Sequence, residues 1–197
     1  MKQKTLAAIV IVFLTLLAIV FYFGAQNSPG LAPRIEVAST PLAPSGAQDT
    51  IYMIEGQHVK LSGGVARQEA APGSASMRTT KVFGEPTLGD VNGDGQNDAA
   101  LMLMQERGGS GTFYYLAVAY SSTTGIIGTN TLLLGDRVAP QTLEIRDGLI
   151  IANYATRKTG ESMSTPPSQG VSLYARLVDG VLRDVTKEVT TTKTAVE

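Results

Sequence analysis

From residue 51 onward, the chain alternates short runs of β-prone residues with turns that contain glycine. Asp147-Gly148 and Asp179-Gly180 each join two such runs, and Asp-Gly is typical of the type I′ turn of a β-hairpin. No stretch after Phe23 repeats its apolar residues with the helical period of 3.6. The pattern predicts an all-β domain, a single compact sandwich or open barrel of about eight to ten strands. The runs expected to form strands cover residues 51–54, 58–61, 76–83, 99–104, 112–120, 131–134, 142–146, 149–154, 171–178 and 181–185.

Two of these segments and the C-terminal tail carry further expectations. Residues 99–104 are apolar throughout, which predicts a central strand covered on both faces. Residues 112–120 are the most aromatic segment, and Gly108-Gly109-Ser110-Gly111 before them predicts a flexible hairpin connection. The tail from Thr186 is rich in Thr and Lys, and we expect it to fray.

The N-terminal segment predicts where the chain is located. Residues 5–23 form an apolar run preceded by Lys2 and Lys4, and no basic residue follows until Arg34. A helix of this length spans the hydrocarbon core of a bilayer, and the positive-inside rule places residues 1–4 in the cytoplasm. A cleaved signal peptide is the alternative. Either interpretation places the rest of the chain outside the cytoplasm. The membrane anchor predicts a single-pass protein of the cell membrane with an extracytoplasmic C-terminal domain.

The next segment, residues 24–50, is rich in Ala, Pro, Ser and Gly. Such a composition buries too little apolar surface to order itself, and its prolines keep the chain extended. It therefore predicts a disordered linker between the membrane anchor and a β domain over residues 51–188. Residues 189–197 are predicted to be a flexible tail.

Composition excludes several classes of function. The net charge is −1, and without Lys2 and Lys4 it becomes −3. A mildly acidic body with scattered basic residues argues against nucleic acid as a partner, because nucleic acid requires a clustered basic surface. The chain has no Cys and one His, so disulfides, thiolate zinc sites and a Ser-His-Asp triad with an assignable histidine are not predicted.

Residues 89–98 carry the chemistry of the chain. Side-chain oxygens occur at positions 1, 3, 5 and 9 of this loop, a glycine occupies position 6, and the residue at position 7 offers its backbone carbonyl. These residues are Asp90, Asn92, Asp94 and Asp98, with Gly95 at the turn and Gln96 as the backbone ligand. This spacing is that of the first three quarters of a calcium loop, and the alternative is an Asn-Gly and Asp-Gly turn that binds nothing. Position 12 is Leu101 and not Glu, so the loop does not belong to an EF-hand.

The loop resembles the calcium hairpin of FG-GAP (integrin-like propeller) repeats, in which Gly-Asp-x-Asn-Gly-Asp-Gly-x-x-Asp runs directly into a hydrophobic strand. The resemblance covers residues 89–102 and implies Asp90, Asn92, Asp94 and Asp98 as side-chain ligands of Ca²⁺, with Gln96 as the backbone ligand. The motif occurs once, and one copy cannot close a propeller. Residues 108–120, 135–140 and 147–154 look like parts of small exported bacterial proteins of unassigned function, which implies no activity.

The sequence therefore predicts a membrane-anchored, extracytoplasmic, calcium-binding β domain without enzymatic activity. Its expected role is structural, or it binds another protein or a glycan at the cell envelope. The alternative is an envelope hydrolase directed at glycan, which would use carboxylates outside the calcium loop. Glu161 and the irregular segment around it, residues 156–170, would support that alternative if they bordered a pocket.

Overall fold

The computed structural model of the protein describes residues 46–194, which belong to one compact unit, Thr40–Glu197. The predicted cytoplasmic segment, the predicted membrane anchor and residues 24–45 of the predicted linker lie outside the described residues. Over residues 46–194, no helix has both the length and the apolar character needed to cross a membrane.

The described residues form a mostly β structure, as the sequence predicts. Twelve strands are followed by one helix, numbered here in chain order. They are β1 (Ile51–Ile54), β2 (Gln57–Lys60), β3 (Val65–Glu69), β4 (Met77–Gly89), β5 (Asp98–Glu106), β6 (Thr112–Ser122), β7 (Gly125–Gly128), β8 (Leu132–Asp136), β9 (Ala139–Arg146), β10 (Leu149–Thr156), β11 (Gln169–Val178), β12 (Val181–Asp184) and α1 (Thr186–Thr194).

The strands form three antiparallel sheets, one of which is a curled half-barrel. This six-stranded sheet has the order β3-β4-β5-β6-β7, and β8 also pairs with β6. A second sheet of four strands has the order β12-β11-β10-β9, and β1 and β2 form a separate hairpin. Neighbouring strands are mostly consecutive in sequence, which is why short glycine turns suffice to connect them.

Two hydrophobic cores lie on opposite faces of β5 and β6. Alternate residues of β5 point to opposite faces, so Ala100 and Met102 pack against the four-stranded sheet, while Leu101 and Leu103 pack against the β1–β2 hairpin. On β6, Leu116 and Tyr115 divide in the same way. The prediction that residues 99–104 form a strand covered on both faces is confirmed.

The tight turns also follow the sequence. Asp147 and Gly148 have φ angles of 50° and 70°, and Asp179 and Gly180 have φ angles of 51° and 74°. Two successive positive φ angles define the type I′ turn that Asp-Gly predicts. In the β1–β2 hairpin, a glutamate takes the first of these positions, with φ of 49° at Glu55.

Two expectations differ from the structure. The described residues contain twelve strands and not eight to ten, because the sequence analysis did not assign β3 and β7. The tail from Thr186 was expected to fray, yet residues 186–194 form helix α1. Asp184 accepts a hydrogen bond from the Thr186 backbone N–H through Oδ1 at 2.8 Å, and an Asp at this place satisfies one of the free N–H groups at a helix start. The helix lacks a strong apolar face, because residues 190–192 are all Thr. The hydroxyls of these three residues donate to backbone carbonyls one turn earlier.

One side chain links the four-stranded sheet to the segment between β7 and β8. The Asn130 side chain donates through Nδ2 to the Leu182 carbonyl at 2.9 Å and accepts the Leu182 N–H through Oδ1 at 2.8 Å. An amide that makes both bonds reproduces the pairing of a neighbouring strand. Asn130 therefore satisfies the free edge of β12 at Leu182, a residue whose side chain is fully buried.

Candidate functional site

The loop at residues 90–98 connects β4 to β5 and stands at the tip of their hairpin. Gly89 pairs with Asp98 at its base. A Cβ on Gly89 would lie 3.0 Å from Ile145 Cγ2, closer than nearly all real contacts, so the absence of a side chain lets β9 pack on the loop base. Gly93 and Gly95 have φ angles of 82° and 78°, which glycine adopts without steric cost and which turn the chain within the loop.

Asp90 organises the first half of the loop. Its Oδ1 accepts the backbone N–H groups of Asn92 at 3.2 Å and Gly93 at 2.6 Å, and its Oδ2 accepts that of Gly95 at 2.9 Å. The Gly95 and Gly93 hydrogen bonds favour the ionised form and lower the pKa of the Asp90 carboxyl. Asp90 is therefore charged at neutral pH.

Asn92 and Asp94 continue the pattern along the exposed rim. Asn92 Oδ1 accepts the Asp94 N–H at 2.9 Å, and Asn92 Nδ2 donates to Asp94 Oδ2 at 3.1 Å. Asp94 Oδ1 accepts the Gln96 N–H at 2.8 Å. Each of these side chains bonds to the backbone two residues ahead, an arrangement typical of Asx turns.

Asp98 is the buried member of the set, with no accessible surface. Its Oδ2 accepts the Val91 N–H at 3.0 Å, and its Oδ1 accepts the Ser121 N–H of β6 at 3.3 Å. Burial raises the pKa of the Asp98 carboxyl against the effect of these bonds, and the negative charges of Asp94 and Asp90 raise it further. The three carboxylates thus repel one another across a single loop.

The loop offers oxygen donors to a cation, but they do not converge on one point. Across residues 46–194, no three side chains of His, Cys, Asp or Glu are grouped so that they could hold a metal ion. The oxygen donors have the chemistry that calcium prefers, and apart from Asp90 Oδ1, which already accepts two N–H groups, the carboxylate oxygens keep lone pairs beyond the backbone bonds they accept. The ligand atoms are therefore of the type that calcium prefers. The carboxylates, however, are directed to backbone N–H groups and not to one common point.

A cleft with a volume of about 630 Å³ lies beside this loop. It is lined by residues 89–93, by Ile145 of β9, by Asp147 and Gly148 at the β9–β10 turn, and by Arg176 and Leu177 of β11. Ile145 and Leu177 contribute apolar lining, and Arg176 and the polar residues of the loop contribute polar lining. Its size is that of a small-molecule site.

Arg176 is the cleft residue that the sequence analysis missed. The signal was present, because a two-residue turn at Asp179-Gly180 fixes the pairing of the strands on either side. That register places Arg176 directly opposite Arg183. What the sequence could not show is that the β9–β10 turn brings Arg176 close to the loop at residues 90–98.

The second segment singled out in the sequence does not border this cleft. None of residues 156–170 is among its lining residues. Glu161 accepts the Lys158 N–H through Oε2 at 2.9 Å and so holds its own turn, and Arg157 donates to the Arg137 carbonyl at 2.9 Å. The first bond lies within the segment, and the second ties its start to the β8–β9 connection.

Comparisons with known proteins found no matching family model, no matching curated protein and no matching solved structure. The FG-GAP resemblance of residues 89–102 therefore stays a prediction made from the loop itself.

Proposed function

We propose that residues 90–98 bind Ca²⁺ and that the ion stabilises the β domain, which serves as a non-enzymatic structural or binding module. The ligands would be the side chains of Asp90, Asn92, Asp94 and Asp98 and the backbone carbonyl of Gln96. The observation that supports this most strongly is the fully buried Asp98, whose carboxyl has a pKa raised by burial and by the charges of Asp94 and Asp90. A divalent cation would remove that repulsion.

The location of the site supports a structural role. The loop joins β4 to β5, and Asp98 also accepts an N–H of β6. An ion that draws the loop side chains together would therefore stiffen the hairpin whose strands separate the two cores. In a chain without disulfides, this would be a source of stability, about 1.4–1.8 kcal/mol when free calcium exceeds its Kd by ten- to twentyfold.

We place this module at the cell envelope, held in the membrane by residues 5–23 and facing outward. The sequence pattern of these residues supports this part of the proposal. The envelope partner would be a protein or a glycan. The alternative, a glycan hydrolase, would use two carboxylates outside the loop, whereas Asp147 is the one acid outside the loop among the lining residues of the cleft.

Direct titration of the full-length chain with CaCl₂ in a calorimeter tests the proposal. We expect one site per chain with a Kd of about 10⁻⁴–10⁻³ M, the range of extracellular calcium modules. MgCl₂ should bind more weakly, because Mg²⁺ requires near-ideal octahedral geometry. The matched control is Glu85→Ala, which removes an exposed carboxylate outside the loop and should leave the titration unchanged. Absence of calcium heat, or equal binding by Asp94→Ala, would refute a site at this loop.

A further inference from the structure

The cleft beside the calcium loop contains an arginine that forms no ion pair. The salt bridges among residues 46–194 join Arg107 to Glu55, Arg137 to Asp136 and Arg146 to Glu144. Arg176 makes none of these. It is exposed and donates one hydrogen bond, from Nη1 to the Asp147 carbonyl at 3.3 Å. A guanidinium carries five N–H donors, so most of its donors remain available at the cleft.

The neighbouring strand adds a second positive charge. Arg183 of β12 lies directly opposite Arg176 of β11, and both residues are exposed. Like charges at directly opposed positions destabilise a sheet. An anion bound at Arg176 would reduce this repulsion, so the register favours an anionic occupant of the cleft.

Gly148 keeps the space beside the guanidinium open. The point where a Cβ on Gly148 would lie is 3.7 Å from Arg176 Nη1 and 3.7 Å from the Val91 carbonyl oxygen. The guanidinium and the loop backbone therefore face one another across a residue without a side chain. A ligand group can reach both from the cleft.

The geometry points to a binding site for a small ligand that carries a carboxylate. The Arg176 guanidinium would bind the carboxylate through two parallel N–H donors, as guanidinium and carboxylate groups pair in proteins. The apolar side chains of Ile145 and Leu177 would contact the rest of the ligand. A cleft of about 630 Å³ accommodates a molecule the size of a monosaccharide or an amino acid.

Occupancy of this cleft depends on the calcium that we propose for the loop. Two acids, Asp90 and Asp147, border the cleft beside one guanidinium, so without a cation the surrounding charge disfavours an anion. A divalent ion at the loop would offset two of the three negative charges of its carboxylates and so weaken that repulsion. The carboxylate should therefore bind more tightly in calcium than in a chelator.

The test is an amide chemical-shift titration of the ¹⁵N-labelled full-length chain with glucuronate, glucose and glutamate, each in calcium and in chelator. Glucuronate and glucose have the same ring and differ in the carboxylate. In calcium we expect glucuronate to shift the amides of Gly93 and Gly148 and to bind at least tenfold more tightly than glucose. Glutamate binding with similar affinity would show that any small carboxylate suffices, and weaker binding would assign the site to an acidic sugar.

The variants separate this inference from the proposed function. Arg176→Gln should weaken glucuronate binding at least tenfold, whereas Arg67→Gln makes the same charge change at an exposed residue of β3 and should have no effect. The shifts caused by calcium alone should persist in Arg176→Gln. Equal binding of glucose and glucuronate, no binding of any probe, or unchanged binding by Arg176→Gln would overturn the carboxylate site while the calcium shifts stand. If calcium causes no shifts in the wild-type chain, the proposed function is refuted. Equal glucuronate binding in calcium and in chelator would then support the carboxylate site and show that it does not depend on calcium.

Discussion

Asp98 serves two roles at the level of single atoms. It closes the loop through the Val91 N–H, and it ties the loop to β6 through the Ser121 N–H. Both bonds favour the ionised carboxylate, whereas the burial of the group away from water raises its pKa. Asp94 differs, because it is exposed and bonds only within the loop. The two residues should therefore respond differently to substitution.

We expect Asp98→Ala to destabilise the domain even when calcium is chelated. The change leaves the N–H groups of Val91 and Ser121 without their acceptor, and Val91 is buried. An unsatisfied buried donor costs about 1–3 kcal/mol, so the loss in unfolding free energy should be about 2 kcal/mol or more. Denaturation by urea in chelator measures it. Asp94→Ala is the matched control and should change stability in chelator by less than about 0.5 kcal/mol. Equal midpoints for Asp98→Ala and wild type would contradict the structural role of Asp98.

At the scale of elements, the β1–β2 hairpin is held to the six-stranded sheet by a polar network as well as by its core residues. Glu55, in the hairpin turn, pairs with Arg107 at 2.6 Å and accepts the Tyr115 hydroxyl at 2.9 Å. Arg107 also donates to Gln105 at 2.9 Å and lies 4.1 Å from the centre of the Phe113 ring. The network connects a turn, β5 and β6. It explains why Glu55 occupies a position with positive φ.

This network predicts a pH dependence of stability. The hydrogen bond from Arg107 lowers the pKa of the Glu55 carboxyl, so the stabilisation is complete above the ordinary pKa of about 4.5 and is lost as the pH falls through the lowered value. Glu55→Gln should reduce stability at about pH 7 by about 0.5–1 kcal/mol, the scale of a surface pair, because the Glu55 side chain is 49% exposed. Near pH 3 the difference from wild type should shrink. Urea denaturation at both values checks this against Glu85→Gln, and a difference that grows on acidification would contradict it.

At the scale of the whole described domain, the sequence predicted what depends on local pattern. The alternation of apolar and polar residues and the chemistry of turns act over a few residues. They predict ten strand positions, the two Asp-Gly turns and the central position of β5. The candidate ligands of the loop could also be named, because their spacing is local, and calcium binding by them stays a prediction. The sequence left open how far the curled sheet closes and which turn faces the loop, because both depend on strands distant in the chain.

The missed elements have physical reasons. β7 contains Gly-Ile-Ile-Gly, and glycine at both ends weakens the strand pattern, yet pairing with β6 fixes it. Val65–Glu69 reads as a polar segment with one apolar start, and its pairing with the long β4 decides its conformation. The cleft was invisible for the same reason, because Gly89, Gly148 and Arg176 meet only after two hairpins have packed together.

The central claim is that an ion bound by residues 90–98 stabilises the β domain, and thermal unfolding of the full-length chain in calcium and in chelator tests it most directly. With free calcium about tenfold above Kd, a gain of about 1.4 kcal/mol should raise the Tm of the wild-type chain by about 3–6 °C. The Asp94→Ala variant should melt at one temperature in both conditions, and that temperature should lie close to the Tm of the wild type in chelator. If the wild type melts at the same temperature with and without calcium, or if Asp94→Ala gains as much from calcium as the wild type, the claim is wrong.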